Sequence, residues 1–253
     1  MEERFLYQEK KVQEFREADA DGRIGMYGYL SYFQDAAASY MHRFDWGNDK
    51  VHEKYGVAWV YTKYRMQLFE KAIYDAPLDI ECWIEATKHS FTIYHAIEIR
   101  KRGILMARGR LESCLVDLQS GRIARLERIG YDPVLAMERM NVTPPFTKIA
   151  YQTDGAKEVY KHKVRYSDLD NNRHMNNLRY VPLLIDAYEL DFHDHHRLVD
   201  MEINYREQCF YDEELTVCRQ DEDALSGRVL VMKENGKAAV CARMKFENIK
   251  EDK

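Results

Sequence analysis

Proline is scarce in this chain, five in 253 residues, and glycine is modest at twelve. That composition excludes collagen-like, proline-rich and low-complexity classes. Cysteine is sparse as well. Cys82, Cys114, Cys209, Cys218 and Cys241 are odd in number and form no CxxC pair, so neither a disulfide framework nor a zinc site is indicated. Four of them lie in strand-like runs, where a buried free thiol is the ordinary state. No apolar run approaches the ~18 residues of a membrane-spanning helix. The start, MEERFLYQEKK, lacks the basic-then-apolar order of a secretory signal, and a cytoplasmic location is the expectation. Excess positive charge is also missing: 38 Lys and Arg stand against 43 Asp and Glu, a formal net charge of −5. This argues against a general nucleic-acid binder. His193, His195 and His196 in DFHDHHRLVD read as a polar helix end and loop rather than as metal ligands.

What is present is a folded chain, 45% apolar and 32% charged, long enough for one large domain or two smaller ones. Its plan occurs twice. In the first half KVQEFREADADGRIG reads as a strand and polar turn, and the spacing of apolar residues predicts a long helix over 27–44. After a loop, runs at 57–75, 78–89, 90–101 and 104–118 carry the β-branched and aromatic content of strands. The second half restates this with a strand at 158–168, a helix at 176–192, and strands at 198–212, 214–223, 224–235 and 237–249. YDAPLDIECW (74–83) parallels YDEELTVCRQ, 137 positions later, whereas the helices register about 150 positions apart. The expected organisation is α+β: residues 1–130 as one half, 131–157 as a linker and 158–253 as the other. Each half would lay one long helix against a curved antiparallel sheet.

The most polar stretch is DLDNNRHMNN, Asp168 to Asn177, just before the second helix. A plain helix cap needs one short acceptor, Asp170 or Asn172, with His174 exposed beside it. It does not require Asp, Asn and His on alternate positions with two more Asn behind them. The sequence resembles the fatty acyl-ACP thioesterases of bacteria and plants over essentially the whole chain. The resemblance rests on the duplicated plan, DLDNNRHMNNLRY and INYREQC. It implies a tandem hot-dog fold and hydrolysis of an acyl-carrier thioester without metal or redox cofactor. Asp170, Asn172 and His174 then fall on the active-site positions, with Asn176, Asn177, Tyr205 and Cys209 as substrate-binding candidates. First-turn amides of a helix beginning around Arg173 to Asn176 are expected to face the thioester carbonyl.

One position departs from the family. Its members commonly carry a further catalytic Glu on the next strand; aligning Tyr205 and Cys209 puts Gln208 there, with Glu207 one residue earlier. Strand neighbours point to opposite faces unless a bulge intervenes; the expectation is Gln208 inward, and a bulge would instead let Glu207 supply the missing catalytic carboxylate. Glutamine can hold a water or a carbonyl but cannot act as a base, which leaves Asp170 or His174 in that role. A Cys209–His174 nucleophile pair is an alternative.

In the first half, helix-on-helix alignment sets Ala20, Gly22 and Ile24 against the three site positions, so that copy is expected to lack the chemistry. It is expected instead to line an acyl channel, with Met26, Tyr29, Phe33, Tyr40 and Trp46 among the candidates. The resemblance implies acyl carrier protein as partner. Arg100, Lys101 and Arg102, together with Arg108, Arg110, Arg122, Arg125 and Arg128, are candidate docking cations. A homodimer is an open alternative to a monomer. Competing readings are an acyl-CoA thioesterase of the same fold, an acyl dehydratase and a non-catalytic acyl-carrier or lipid-binding module.

Overall fold

Tyr29, Leu30, Tyr32, Phe33, Ala36, Ala37, Tyr40 and Met41 recur at helical spacing and are all buried along one helix, α1 (Met26–Arg43). Burying each large member contributes about 1.5–3 kcal/mol. This is seen in a computed structural model, which describes residues 5–249 except 74, 87–89, 134–135 and 140. Two compact units divide at Pro144 and Pro145, a boundary inside the segment expected as linker.

In the first unit α1 lies against two strands, β2 (Val57–Leu68) and β3 (Leu78–Ile84). With β1 (Tyr7–Lys11), β4 (Thr92–Lys101) and β5 (Ile104–Asp117) they form an antiparallel order β1-β3-β4-β5-β2. A short β6 (Ile123–Ala124) adds to β5. The run at 57–75 is therefore strand to Leu68; the expected end of the next run, residues 87–89, lies outside the described residues. The aromatic channel candidates, Tyr29, Phe33, Tyr40 and Trp46, are buried core. The segment expected as a loop before β2 contains a two-turn helix, α2 (Asn48–Tyr55). Its punctuation was in the sequence: Gly56 ends it in the left-handed conformation at φ 63°, as helix termini favour.

The second unit repeats the order. Strands β7 (Lys157–Lys163), β8 (His196–Tyr205), β9 (Glu214–Asp223), β10 (Ser226–Lys233) and β11 (Ala238–Asn248) pair antiparallel as β7-β9-β10-β11-β8.

Its helix differs from expectation. Instead of one long helix over 176–192 there is a 3-10 turn (Asn177–Arg179), then α3 (Tyr180–Ile185), then a break, then α4 (Leu190–His195). The break follows from where carbonyls find donors. Tyr160 Oη donates to Leu183 O at 2.7 Å, His193 Nε2 to Ile185 O at 3.0 Å and Arg219 Nη1 to Ala187 O at 2.7 Å. Side chains thus satisfy carbonyls that a continuing helix would give to its own amides. His195 and His196 likewise donate to the carbonyls of Asp191 and Phe192 at 2.8 Å, a structural use for the histidine cluster.

Candidate active site

In the second unit the chain leaves β7 into a 3-10 turn, Tyr166–Asp168, closed by Arg165 N–H donating to Asp168 Oδ2 at 2.8 Å. It then doubles back on itself. Leu169 bridges Met175, Asp170 N–H donates to His174 O at 3.0 Å, and Arg173 N–H donates to Asp170 O at 3.1 Å. Asp170 Oδ1 also accepts Asn172 N–H at 2.8 Å, the local bond that suits Asp to turns. The reversal puts Arg173 in the left-handed region at φ 63°. Two ties fix the loop to the segment after β8: His174 bridges Phe210, and Met175 N–H donates to Cys209 O at 2.8 Å.

This fold-back brings Asp170 and His174 together. Oδ2 of Asp170 lies 3.3 Å from Nδ1 of His174, with the side chains 18% and 22% exposed. A carboxylate on one ring nitrogen fixes the imidazole's orientation and stabilises its protonated form. Partial burial screens that pair less than full exposure would. Asn172 is exposed. A second pair, not expected from the sequence, joins His162 Nε2 and Asp168 Oδ2 at 3.0 Å. Asp168 opens the polar stretch, which was its only signal.

Several expectations are corrected. The helical turn begins at the far end of the expected range, Arg173 to Asn176, and neither Asp170 nor Asn172 caps it. Asn176 does, accepting Leu178 N–H at 2.9 Å, so one first-turn amide is already taken. His174 is not an exposed bystander. Asn177 and Tyr205 are tied to each other: Tyr205 Oη donates to Asn177 O at 2.9 Å, and the Tyr205 ring meets Tyr180 edge-on at 5.9 Å. Cys209 is buried, and burial pushes its thiol pKa up. That disfavours the thiolate a Cys–His nucleophile pair requires.

The Gln208 expectation is corrected as well. β8 ends at Tyr205 because Arg206 and Glu207 N–H both donate to Ala239 O, at 2.9 and 3.3 Å, which breaks the pleat. The alternation argument therefore does not apply, and Glu207 and Gln208 are both exposed. Glu207 pairs with Lys237 at 3.1 Å, and Gln208 O accepts from Lys233 Nζ at 2.7 Å.

The first unit contains the same loop. Ala18 bridges Ile24. Asp19 N–H donates to Arg23 O at 2.8 Å, Gly22 N–H to Asp19 O at 2.9 Å and Ile24 N–H to Ala72 O at 2.8 Å. Each bond has its counterpart 151 positions later in the loop, and Ala72 corresponds to Cys209 by the 137-residue offset. The structural register is thus one residue off the helix alignment. Asp19, Asp21 and Arg23, not Ala20, Gly22 and Ile24, stand at the positions of Asp170, Asn172 and His174. Lys71, equivalent to Gln208, reaches Asp19 Oδ2 at 2.8 Å and Asp21 Oδ2 at 3.0 Å.

The expected docking cations are largely neutralised. Lys101 and Arg102 pair with Asp75, Arg100 with Glu98, Arg110 with Glu85 and Arg128 with Asp117. Among the described residues no group of three His, Cys, Asp or Glu side chains is placed to hold a metal ion. No described helix is long and apolar enough to cross a membrane.

Sequence models of the acyl-ACP thioesterase N-terminal and C-terminal domains match residues 5–129 and 151–248. The chain belongs to the acyl-ACP thioesterase family. The C-terminal match includes the Asp170–His174 loop. An acyl-ACP thioesterase from Bacteroides thetaiotaomicron superposes with a TM-score of 0.87 at 19% identity, covering 98% of this chain and 100% of that one. The 12:0-ACP thioesterase from Umbellularia californica gives 0.85 at 18% identity, covering 97% and 98%. The architecture is the tandem hot-dog, with the second unit's helix broken. Among curated relatives, oleoyl-acyl carrier protein thioesterase 2 of Arabidopsis thaliana is 19% identical over 237 residues. That match takes in 84% of this chain and 62% of the relative, so the chain spans less than two thirds of that relative's length.

Proposed function

We propose that this protein hydrolyses fatty acyl-ACP to free fatty acid and the carrier thiol, ending acyl-chain growth. The observation that carries the reading is the half-buried Asp170–His174 pair inside a loop matched by the family's C-terminal domain. His174 takes a proton from water as the water attacks the thioester carbonyl. Asp170 holds the ring through Nδ1 and stabilises the imidazolium, which then protonates the departing thiolate. The amides of Asn172 and Gln208 position the water and the carbonyl oxygen. For Gln208 the support is its first-unit counterpart: Lys71, one bond longer, spans to both loop carboxylates, so this position adjoins the loop. Gln208 being neutral, and Glu207 being paired with Lys237, the base role rests on His174.

The test is hydrolysis of matched acyl-ACP and acyl-CoA panels. Turnover of acyl-ACP is expected, with severe losses in His174→Ala and Asp170→Asn. Activity retained in both variants would sink the mechanism. Faster turnover of acyl-CoA would favour the CoA thioesterase, and binding without turnover the non-catalytic module.

A further inference from the structure

Arg173 occupies a backbone position suited to glycine. Its φ of 63° is in the left-handed region, where a Cβ crowds the following carbonyl. The first unit has Gly22 there, at φ 72°. Nothing lies within 4 Å of the place a Cβ would take at Gly22, so the strain is torsional, not steric packing. The copy of the loop without an Asp–His pair uses the unstrained residue; the copy with the pair carries an arginine. Strain retained beside a reactive pair points to use of the side chain.

The surroundings say what the use is. Arg173 and Arg179 are both exposed. Among the described residues neither guanidinium has an ion-pair or hydrogen-bond partner, although most arginines of this chain do. One precedes His174 directly. The other closes the 3-10 turn that follows it. The protein as a whole is acidic, yet here two exposed, unpaired guanidinium groups stand before and after His174 along the chain, free to take an anion.

We propose that Arg173 and Arg179 bind the phosphate of the substrate's phosphopantetheine arm, an assignment that rests on the thioesterase reading above. The arm carries its thioester at one end, where His174 acts, and its one anionic group, the phosphodiester, at the other. Guanidinium meets phosphate through paired charge-assisted hydrogen bonds.

The test compares kcat/KM for one acyl group on 4′-phosphopantetheine and on pantetheine, which differ by the phosphate alone. Wild type is expected to favour the phosphorylated thioester about 10-fold or more, and high salt to erode the preference. Arg173→Gly and Arg179→Gln should each lower that ratio about 5-fold, while Arg173→Lys, which keeps the charge but not the paired bonds, should lower it less. The Tm of Arg173→Gly should not fall, because glycine suits the position. A wild-type ratio near one, or a ratio unchanged in both variants, overturns the proposal. If those variants lose turnover on acyl-ACP with the ratio unchanged, the partner is the carrier's carboxylates instead. If wild type hydrolyses neither thioester and acyl-ACP also stays intact, the thioesterase reading itself fails and this assignment with it.

Discussion

The loop at 168–176 and the loop at 17–25 share their reversing backbone hydrogen bonds, yet their carboxylates have different fates. In the first unit Asp19 packs onto the start of α1, where a Cβ at Gly25 would lie 1.7 Å from Asp19 Oδ2. Lys71 holds Asp19 and Asp21 together. The lysine offsets one of the two negative charges, and the carboxylate charge left beside the helix start suits its dipole. In the second unit Asn176 replaces Gly25 and caps the helix with its own side chain, which leaves Asp170 to His174. Gln208 replaces Lys71 and brings no competing charge. One backbone thus gives a closed ion-pair cluster or a reactive pair, and the exchanges that decide which are Asp21 for Asn172, Arg23 for His174, Gly25 for Asn176 and Lys71 for Gln208.

The sharpest break of the comparison is at the histidine. His174→Ala should lower kcat/KM by about 10³-fold, the scale of a lost general base. Arg23→Ala, at the same place in the first unit, should change it less than about 2-fold. The next is at the glutamine. Gln208→Lys imports the first unit's arrangement, and an ammonium reaching Asp170 competes with His174 for it. A loss of about 10- to 100-fold is expected, steeper at low salt. Gln208→Glu adds a second carboxylate and should raise kcat about 3- to 10-fold. If both variants match wild type, position 208 lies outside the network.

Most of the sheet was legible because its strands carry period-two and apolar patterns that any pleated, half-buried surface demands. The 214–223 run matches β9 at both ends. Asp170 and His174 were legible as candidates from alternate polar positions and the family resemblance, but the reversing loop that pairs them was not. What failed was non-local. The break after α3 depends on Tyr160, His193 and Arg219 finding carbonyls across the fold, and no helical period encodes that. Gln208 was misjudged because the strand's end is set by Ala239 O, a partner more than thirty residues away. The one-residue slip between the copies arose because helix periodicity tolerates it, whereas the loop's hydrogen bonds do not.

The units also differ in what they bury. His95 on β4 faces Ile84, and by the same pairing Gly227 faces Asp221 in the second unit. His95 is fully buried, edge-on to Tyr40 at 5.9 Å, with no partner for either ring nitrogen among the described residues. Burial pushes its pKa down from 6.5 to about 3. An unfolded chain takes up this proton below about pH 6.5, and the folded one does not until about pH 3. Stability is therefore complete above that window and declines as pH falls through it, by about 1.4 kcal/mol per unit. Urea midpoints at pH 7 and pH 5 should show a loss on the order of 2 kcal/mol from this group. His95→Leu should flatten that part of the slope. An equal acid loss in wild type and variant would assign it to other groups.

The smallest effect is expected at Lys71, and it isolates the lesson of the two loops. Asp19 and Asp21 are 36% and 46% exposed at the side chain, so water screens what the lysine supplies. Lys71→Gln, which gives the first unit the second unit's residue, should cost about 0.5–1 kcal/mol in urea unfolding. Hydrolysis should stay at the wild-type rate, because Arg23 offers no base for the freed carboxylates to orient. Adding Arg23→His to that variant completes the Asp–His pairing in the first unit. If hydrolysis with Ala at position 174 then rises above background, the backbone loop is sufficient scaffold. If it does not, Asn172, where the first unit carries Asp21, supplies something that copy lacks.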